Sequence, residues 1–132
     1  MNSGTARREE SKAEGAIAKV GAKCQVEATL SGRALFLEVV GELDLSCMRR
    51  FRDLLTRWTA EGVDDLVIDL RPVTFIDSTG LVLLLRADTI AREEGFHLHV
   101  VRSPTEIVKA VFEVSGVDTL LPLCDEPPQV LA

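Results

Sequence analysis

Runs of apolar residues alternate along this chain with segments in which apolar residues are spaced three and four positions apart, and these two patterns predict its strands and helices. Residues 25–30 and 34–40 are rich in apolar and β-branched residues, and the turn-forming Ser31-Gly32-Arg33 lies between them. This pattern indicates two antiparallel strands joined as a hairpin. Two further apolar runs, residues 66–70 and 98–101, are typical of short buried strands.

Between these runs the apolar spacing changes to three and four residues, which is typical of amphipathic helices. The first helix is predicted over residues 46–61, with Gly62 as its stop, and the second over residues 79–94, with Gly95 as its stop. Residues 71–76, which precede the second helix, are predicted to form a loop. The apolar positions of the first helix are Met48, Phe51, Leu54, Leu55 and Trp58.

The tetrad Ser103-Pro104-Thr105-Glu106 predicts the start of a third helix. Ser103 suits the cap, Pro104 the first helical position, and Glu106 the position from which a capping-box carboxylate reaches back to the cap amide. This helix is expected to end at Gly116, and residues 120–123 to add a short final strand.

This order of elements predicts an α/β fold with a small mixed β-sheet. Crossover connections between strands make the neighbouring strands parallel, so the second, third and fourth strands are expected to be parallel, while the opening hairpin makes the sheet mixed. In such sheets the functional residues gather beyond the carboxyl ends of the strands. Here those ends are residues 41–46, 74–80 and 102–105.

The length of the chain fits one domain, which we expect at residues 22–124. A chain of 132 residues, 46% of them apolar, can bury most of its apolar surface around one core. Residues 1–21 lack a sustained apolar period and are predicted to be a flexible N-terminal extension, and residues 125–132 a C-terminal tail. Because the sequence shows neither a run of about twenty apolar residues nor a secretory signal, we expect a cytoplasmic protein with no membrane partner.

Charge and cysteine spacing argue against several classes of function. The net charge is −6, and the acidic excess lies downstream of a basic segment at residues 1–23, so nucleic acid is not an expected partner. Cys24, Cys47 and Cys124 are odd in number and far apart, and we expect idle thiols rather than disulfides or a zinc site. His97 and His99 alternate along a predicted strand without a nearby third ligand, so no metal is assigned.

The turn Asp77-Ser78-Thr79-Gly80 connects a buried strand region to the second helix. Ser78 is expected to cap this helix through its hydroxyl. The same position suits a phosphate, because the amides and the dipole at a helix N-terminus favour an anion. A phosphoserine carries about −1.5 to −2 charges near neutral pH, which would add to Asp77 and Asp44 on the outer surface.

The second helix is predicted to have an apolar patch beside Ser78. At about 100° per residue, one broad arc of this helix can face the sheet; it contains Leu83, Leu84, Ala87, Ile90 and Ala91. The opposite side includes Ser78 together with Leu81, Val82 and Leu85, and the polar Arg86, Thr89 and Arg92. We interpret the three apolar residues as a docking patch, although such residues also pack under loops.

Several motifs in one consistent order resemble the STAS domains of bacterial anti-sigma-factor antagonists. They are Gly41-Glu42-Leu43-Asp44, the apolar residues 66–70, and Phe75-Ile76-Asp77-Ser78-Thr79-Gly80-Leu81, followed by Ser103-Pro104, the apolar Val108, Val111 and Phe112, and Ser115-Gly116. The resemblance covers residues 25–123. It implies a sheet of four or five strands with helices packed on one face.

The resemblance also implies a function for the Ser78 turn. Ser78 matches the phosphoacceptor, Asp77 and Thr79 its flanks, Asp44 the acidic loop residue near it, and Gly80 and Leu81 the start of the switch helix. An ATP-dependent serine kinase that is itself the anti-sigma factor would phosphorylate Ser78, and a phosphatase would reverse this. The unphosphorylated protein would bind the kinase and release sigma factor.

In this function the chain is not an enzyme and needs no cofactor, because ATP belongs to the kinase. We expect the partner to contact Leu81, Val82, Leu85 and Arg86. The sequence departs from the family pattern at Val82, where many relatives have glycine, and in its N-terminal extension.

Other functions for Ser78 fit the sequence less well. A serine hydrolase requires a base, and the tetrad lacks the Gly-x-Ser-x-Gly elbow. The aspartic-protease turn is Asp-Ser/Thr-Gly, whereas one further residue separates Asp77 from Gly80 here. The remaining alternative is a non-phosphorylated accessory or scaffold STAS subunit, in a lipid transport machine or a signalling assembly, which would not need Ser78.

Overall fold

A computed structural model of the chain describes residues 24–60 and 62–129, and within them six strands form one mixed sheet. The opening hairpin consists of β1 (Cys24–Ser31) and β2 (Ala34–Leu43). The other strands are β3 (Asp65–Asp69), β4 (Val73–Ile76), β5 (His97–Val101) and β6 (Leu123–Cys124). The predicted extension at residues 1–21 and the last three residues of the predicted tail lie outside the described residues.

Three α-helices connect these strands in the described part of the chain. They are α1 (Leu45–Thr59), α2 (Ser78–Glu94) and α3 (Glu106–Ser115), and a short 3-10 helix, Val117–Thr119, follows α3. As predicted, α2 ends at Gly95 and α3 at Gly116, where positive φ angles of 84° and 80° suit a residue without a side chain. No helix in the described residues is long and apolar enough to cross a membrane.

The pairing of the strands confirms the predicted α/β class and mixed sheet. Strands β1 and β2 are antiparallel, whereas β2, β3 and β5 are parallel neighbours in the order β1-β2-β3-β5-β6. The short β4 pairs in parallel with the last three residues of β2, beyond the part of β2 that pairs with β3. The sheet therefore has one strand more than the four or five that the resemblance implies.

The core lies between one face of the sheet and the two helices α1 and α2. Alternate residues of the strands point to this face and are fully buried, including Leu37, Ile68 and Val100. Helix α1 contributes Phe51 and α2 contributes Leu84, both also fully buried. The two helices pack against each other, and α3 packs against β4.

The structure corrects the predicted loop at residues 71–76, because Val73–Ile76 form β4. Val73 and Ile76 are buried whereas Thr74 and Phe75 are exposed, so the strand shows no alternation of apolar and polar positions. A register shift between Gly41 and Glu42 of β2 accompanies the pairing. The predicted final strand is likewise shorter and later, at Leu123–Cys124, and Leu120 is exposed.

The capping box predicted at Ser103 is also wrong, because α3 begins at Glu106 with Thr105 as its cap residue. Ser103 is buried, and its hydroxyl donates to the carbonyl oxygen of Val73 at 2.8 Å and accepts from the amide of Thr105 at 3.1 Å. The Thr105 hydroxyl donates to the same Val73 oxygen at 3.2 Å. This pair of hydroxyls anchors the loop before α3 to the first residue of β4.

Two of the three cysteines are not idle thiols, since Cys24 and Cys47 form a disulfide with their Cα atoms 5.6 Å apart. They are 23 residues apart in the sequence, but the packing of α1 on β1 brings the first residue of β1 to the first turn of α1. Cys124 remains free, and partial burial raises the pKa of its thiol, so little reactive thiolate forms.

Candidate functional site

The loop after β2 and the loop after β4 leave the sheet side by side. Leu43 and Ile76, near the ends of the two strands, are paired in the parallel register. The amide of Asp77 donates to the carbonyl oxygen of Leu43 at 3.4 Å. Asp44 and Ser78, which lie just after these two residues, are therefore at the same edge of the sheet. This is the edge at the carboxyl ends of the strands, where the sequence predicts functional residues.

Gly80 allows the first turn of α2 to pack closely against the end of β2. A Cβ atom at this position would lie 2.4 Å from the carbonyl oxygen of Leu43 and 2.7 Å from a side-chain carbon of Ile76. Both distances are far shorter than van der Waals contact. The absence of a side chain thus keeps the Asp77–Ser78 turn against the loop that carries Asp44.

Asp77, and not Ser78, caps helix α2. Its backbone is extended (φ −115°, ψ −173°), and its Oδ1 accepts a hydrogen bond from the amide of Gly80 at 3.0 Å. This is the bond that a cap residue makes to the third helical residue, and a carboxylate here also interacts favourably with the helix dipole. The prediction that Ser78 is the cap is therefore wrong by one residue.

Ser78 is the first residue of α2, and its side chain is exposed. Its hydroxyl makes no hydrogen bond to any other residue in the described part of the chain, because Asp77 satisfies the cap. Thr79, the next residue, is half-buried. Ser78 thus presents a free hydroxyl at the positive end of a helix of 17 residues, where an attached phosphate would be electrostatically favoured.

Asp44 holds the start of α1 in place. Its Oδ1 accepts from the amide of Ser46 at 3.0 Å and from the Ser46 hydroxyl at 2.6 Å, and its carbonyl oxygen accepts from the amide of Cys47. The side chain of Asp44 is thus oriented by its own loop. It contributes negative charge to the surface beside the Ser78 turn.

The apolar surface on α2 is smaller than the sequence predicts, because Leu81 belongs to the core. Leu81 is 9% exposed, whereas Val82 is 49% exposed, Leu85 is half-buried and Arg86 is exposed. The first turn of α2 packs against the ends of β2 and β4, so residues on more than one side of this turn are buried. The position of Leu81 on the helical wheel could not reveal this.

Val82, Leu85 and Arg86 share a shallow surface groove of about 360 Å³ on α2, which continues to Glu93. Two further apolar residues near Ser78 are exposed and were missed from the sequence. Leu45 directly follows Asp44, and Phe75 lies two residues before Asp77. A usable signal was their position, because each is a large apolar residue within two positions of an acidic residue at the end of a strand.

The histidines do not belong to this site. Both lie on β5, and the Nε2 of His99 is 3.0 Å from Oδ1 of Asp65 on the neighbouring strand β3. Within residues 24–60 and 62–129, no group of three or more His, Cys, Asp or Glu side chains is arranged to hold a metal ion.

The sequence of this chain is similar to a known protein family and to named relatives. A family model described as "Mlab, STAS domain" matches residues 26–122. The anti-sigma-B factor antagonist of Staphylococcus aureus (strain NCTC 8325 / PS 47) is 25% identical over 96 residues, which cover 73% of this chain and 88% of that protein.

Two solved structures of the anti-sigma factor antagonist SpoIIAA are also similar to this chain. The unphosphorylated form matches with a TM-score of 0.67 at 19% identity, covering 79% of this chain and 90% of that chain. The phosphorylated form, from Bacillus, matches with a TM-score of 0.61 at 20% identity, covering 80% and 93%. At these identities the likeness establishes a common fold.

Proposed function

The chain belongs to the STAS domain family, and on this basis we propose that it is an anti-sigma-factor antagonist controlled by phosphorylation of Ser78. In its unphosphorylated form it binds an anti-sigma factor that is also a serine kinase, and this binding releases sigma factor. Phosphorylation of Ser78 prevents the binding, and a phosphatase restores it. The chain acts in the cytoplasm as a ligand and a substrate, and it is not an enzyme.

The observation that carries this proposal is the exposed, unbonded hydroxyl of Ser78 beside an exposed apolar surface. A kinase requires an accessible hydroxyl, and a hydroxyl engaged in a helix cap would have to break its hydrogen bond first. Because Asp77 makes the cap bond, Ser78 is available without local unfolding. The names of the relatives, an anti-sigma-B factor antagonist and a phosphorylated SpoIIAA, support the same role.

The proposed switch acts by charge and not by a change of fold. In the transfer, the Ser78 oxygen forms a bond to the γ-phosphorus of ATP, the bond from that phosphorus to the ADP oxygen breaks, and the hydroxyl proton passes to a base of the kinase. The product adds about −1.5 to −2 charges at a helix N-terminus, where they are tolerated. On the outer surface these charges join those of Asp77 and Asp44 and oppose a docked partner.

We further propose that the partner surface consists of Val82, Leu85 and Arg86, extended by Leu45 and Phe75. The apolar members are exposed or half-buried on elements that flank Ser78. A partner that covers them would bring its own surface close to the Ser78 hydroxyl. A phosphate there would then have to leave water as the partner covers it, which is costly.

The alternative function is that of a non-phosphorylated accessory or scaffold STAS subunit. The description of the matching family model names Mlab and not an antagonist, which favours this alternative. Such a subunit would retain its complexes whatever the charge at residue 78.

One experiment separates the two functions. The protein is incubated with ATP and the candidate serine kinase, phosphate is located by intact mass and peptide sequencing, and complexes are recovered by pull-down. We expect one phosphate on Ser78, none on Ser78→Ala, and normal phosphorylation of Thr79→Ala, which removes only the neighbouring hydroxyl. We also expect Ser78→Asp to lose the complex while its urea unfolding curve remains unchanged.

The opposite result would support the alternative. If Ser78→Asp retains its partner at the affinity of the wild-type protein, phosphorylation at this residue is not the switch.

A further inference from the structure

A groove lined by no residue of the Ser78 turn lies between the ends of β5 and β6 and the start of α3. Its wide part has a volume of about 280 Å³ and is lined by Arg71, Arg102, Ser103, Pro104, Lys109 and Asp125. A narrow part of about 70 Å³ continues along α3 past Val108, Phe112 and Leu123. Arg102, Ser103 and Lys109 line both parts, so the two parts adjoin at these residues.

The wide part of the groove is cationic on a protein that is acidic overall. Arg71, Arg102 and Lys109 face it, and Asp125 is the one carboxylate of the described residues among its lining. The whole chain carries a net charge of −6. The lining itself thus offers three cations against one carboxylate, and these cations are the groups that an anionic ligand would bind.

Two of these cations are held by carboxylates that a ligand can replace. Arg102 lies 2.9 Å from Asp125, whose side chain is 82% exposed, and Lys109 lies 3.8 Å from Glu106, whose side chain is 91% exposed. Ion pairs as exposed as these contribute little stability, about 0 to 1 kcal/mol. A phosphate or carboxylate from a ligand can therefore take their place at little cost.

Arg71 is more firmly positioned than the other two cations. Its Nε and Nη2 donate to the two carboxylate oxygens of Asp69 at 3.0 and 2.8 Å, and the Asp69 side chain is largely buried. This two-pronged pairing uses two of the five N–H donors of the guanidinium, orients the group and leaves the other three donors for a ligand.

The narrow part of the groove suits a short apolar chain. Val108 and Phe112 of α3 form its walls together with Leu123 of β6. Its volume of about 70 Å³ leaves room for a few carbon atoms. Glu113 and Asp118 also line this part, so a second anionic group at the far end of a ligand would be repelled.

We propose that this groove binds a small amphiphilic anion, with one phosphate or carboxylate head at Arg71, Arg102 and Lys109 and a short uncharged chain along Phe112. The head replaces Asp125 and Glu106 as the partner of Arg102 and Lys109. The chain packs against Val108, Phe112 and Leu123. The site is separate from the Ser78 turn, so it does not depend on the proposed antagonist function.

A titration of the full chain followed by two-dimensional NMR tests this proposal. The probes are butyl phosphate, butyrate, inorganic phosphate and butanol, added to protein labelled with ¹⁵N. We expect saturable shifts confined to the amides of residues 71, 102, 103, 105–112 and 123–125 with butyl phosphate or butyrate. The probe that binds with the higher affinity identifies the head group. Inorganic phosphate and butanol, which each lack one half of the ligand, are expected to bind at least about tenfold more weakly.

A matched pair of variants tests the cations. Arg102→Gln/Lys109→Gln is expected to weaken binding by about tenfold or more, because hydrogen bonds to charged groups are lost. Arg49→Gln/Arg52→Gln removes the same charge from exposed positions on α1 and is expected to leave the affinity unchanged. Urea unfolding of each variant verifies that the fold is intact.

Two outcomes would overturn the proposal. Equal weakening by both double variants would mean that general electrostatic attraction causes the shifts. Absence of saturable shifts in this groove with butyl phosphate and with butyrate would mean that the groove does not bind a ligand of this class.

Discussion

At the start of α2, Asp77 caps the helix and Ser78 presents a hydroxyl to solvent, and one serine could not do both at once. A serine whose hydroxyl accepts the bond from the helix amide is held against the helix, whereas a phosphoacceptor must present its hydroxyl to a kinase. In this protein the carboxylate of Asp77 accepts from Gly80, and Ser78 lies one residue further on with an exposed side chain. The cap and the hydroxyl are therefore adjacent but independent.

This division predicts different stabilities for two alanine variants. Asp77→Ala is expected to lower the free energy of unfolding by about 0.5 to 2 kcal/mol, because the amide of Gly80 loses its partner. Ser78→Ala is expected to change it by less than about 0.5 kcal/mol, because an exposed side chain without a hydrogen bond is removed. Urea denaturation at neutral pH measures both values.

Asp77→Ser serves as the control for the cap, since serine is also a good cap residue, and it is expected to retain most of the stability. A larger loss in Ser78→Ala than in Asp77→Ala would contradict the assignment of the cap.

At the scale of the elements, α2 has apolar residues on more than one side. Leu83, Leu84 and Ala87 face the sheet as the helical period predicts, and all three are buried. Leu81 is buried as well, while Val82 beside it is exposed. The first turn of the helix therefore contributes to the core through one residue and to the outer surface through its neighbour.

Two neighbouring substitutions to aspartate distinguish the core from the partner surface. Val82→Asp is expected to change the free energy of unfolding by less than about 0.5 kcal/mol, because the residue is on the surface. It is also expected to weaken partner binding by about tenfold or more, because a charge would enter the apolar contact. Leu81→Asp is expected to destabilise the domain by about 3 kcal/mol or more, because it buries an unpaired charge.

Ala110→Asp on the exposed side of α3 is the matched control for Val82→Asp, and we expect it to affect neither property. Stability is read from urea unfolding and affinity from surface plasmon resonance with the purified partner. Unchanged affinity of a folded Val82→Asp protein would remove α2 from the proposed partner surface.

At the scale of the whole molecule, parallel strand order brings distant segments to one edge. The loops after β2 and β4 meet there through the contact of Asp77 with Leu43, and the loop after β5 is tied to β4 through Ser103 and Val73. The disulfide between Cys24 and Cys47 adds a covalent link between β1 and the start of α1, close to Asp44. The position of the Ser78 turn thus depends on contacts that link β1, β2, β4 and the loop after β5.

Reduction of the disulfide is expected to lower the free energy of unfolding by about 2 to 4 kcal/mol, because the unfolded chain regains the freedom of a loop of some twenty residues. Urea unfolding with and without dithiothreitol measures this difference. Cys124→Ala is expected to show the same difference, whereas Cys24→Ser/Cys47→Ser is expected to be insensitive to the reductant. If dithiothreitol lowered the free energy of unfolding equally in both variants, the disulfide would be excluded as the cause of the difference.

The amino-acid sequence by itself determined the class of the fold and most of its elements. Runs of apolar and β-branched residues identify β1, β2, β3 and β5, and an apolar spacing of three and four residues identifies α1 and α2, because each element must place its apolar side chains against one core. Gly95 and Gly116 determine where two helices end, because only a residue without a side chain adopts their backbone angles readily. The ordered motifs around Ser78 were sufficient to indicate the family.

Only the tertiary structure decided which neighbours each residue of the site has. Strand β4 exists because Val73–Ile76 pair with β2 more than thirty residues away, and it has no apolar period of its own. The burial of Leu81, the pairing of Cys24 with Cys47 and the bond from Ser103 to Val73 likewise depend on segments that are distant in the chain. The cap at Asp77 belongs here too, because the hydrogen bond from Asp77 to Leu43 and the close fit of Gly80 position the turn. Local sequence patterns indicate the secondary structure that a segment favours. The features named here arise instead from contacts between segments, which local patterns do not contain.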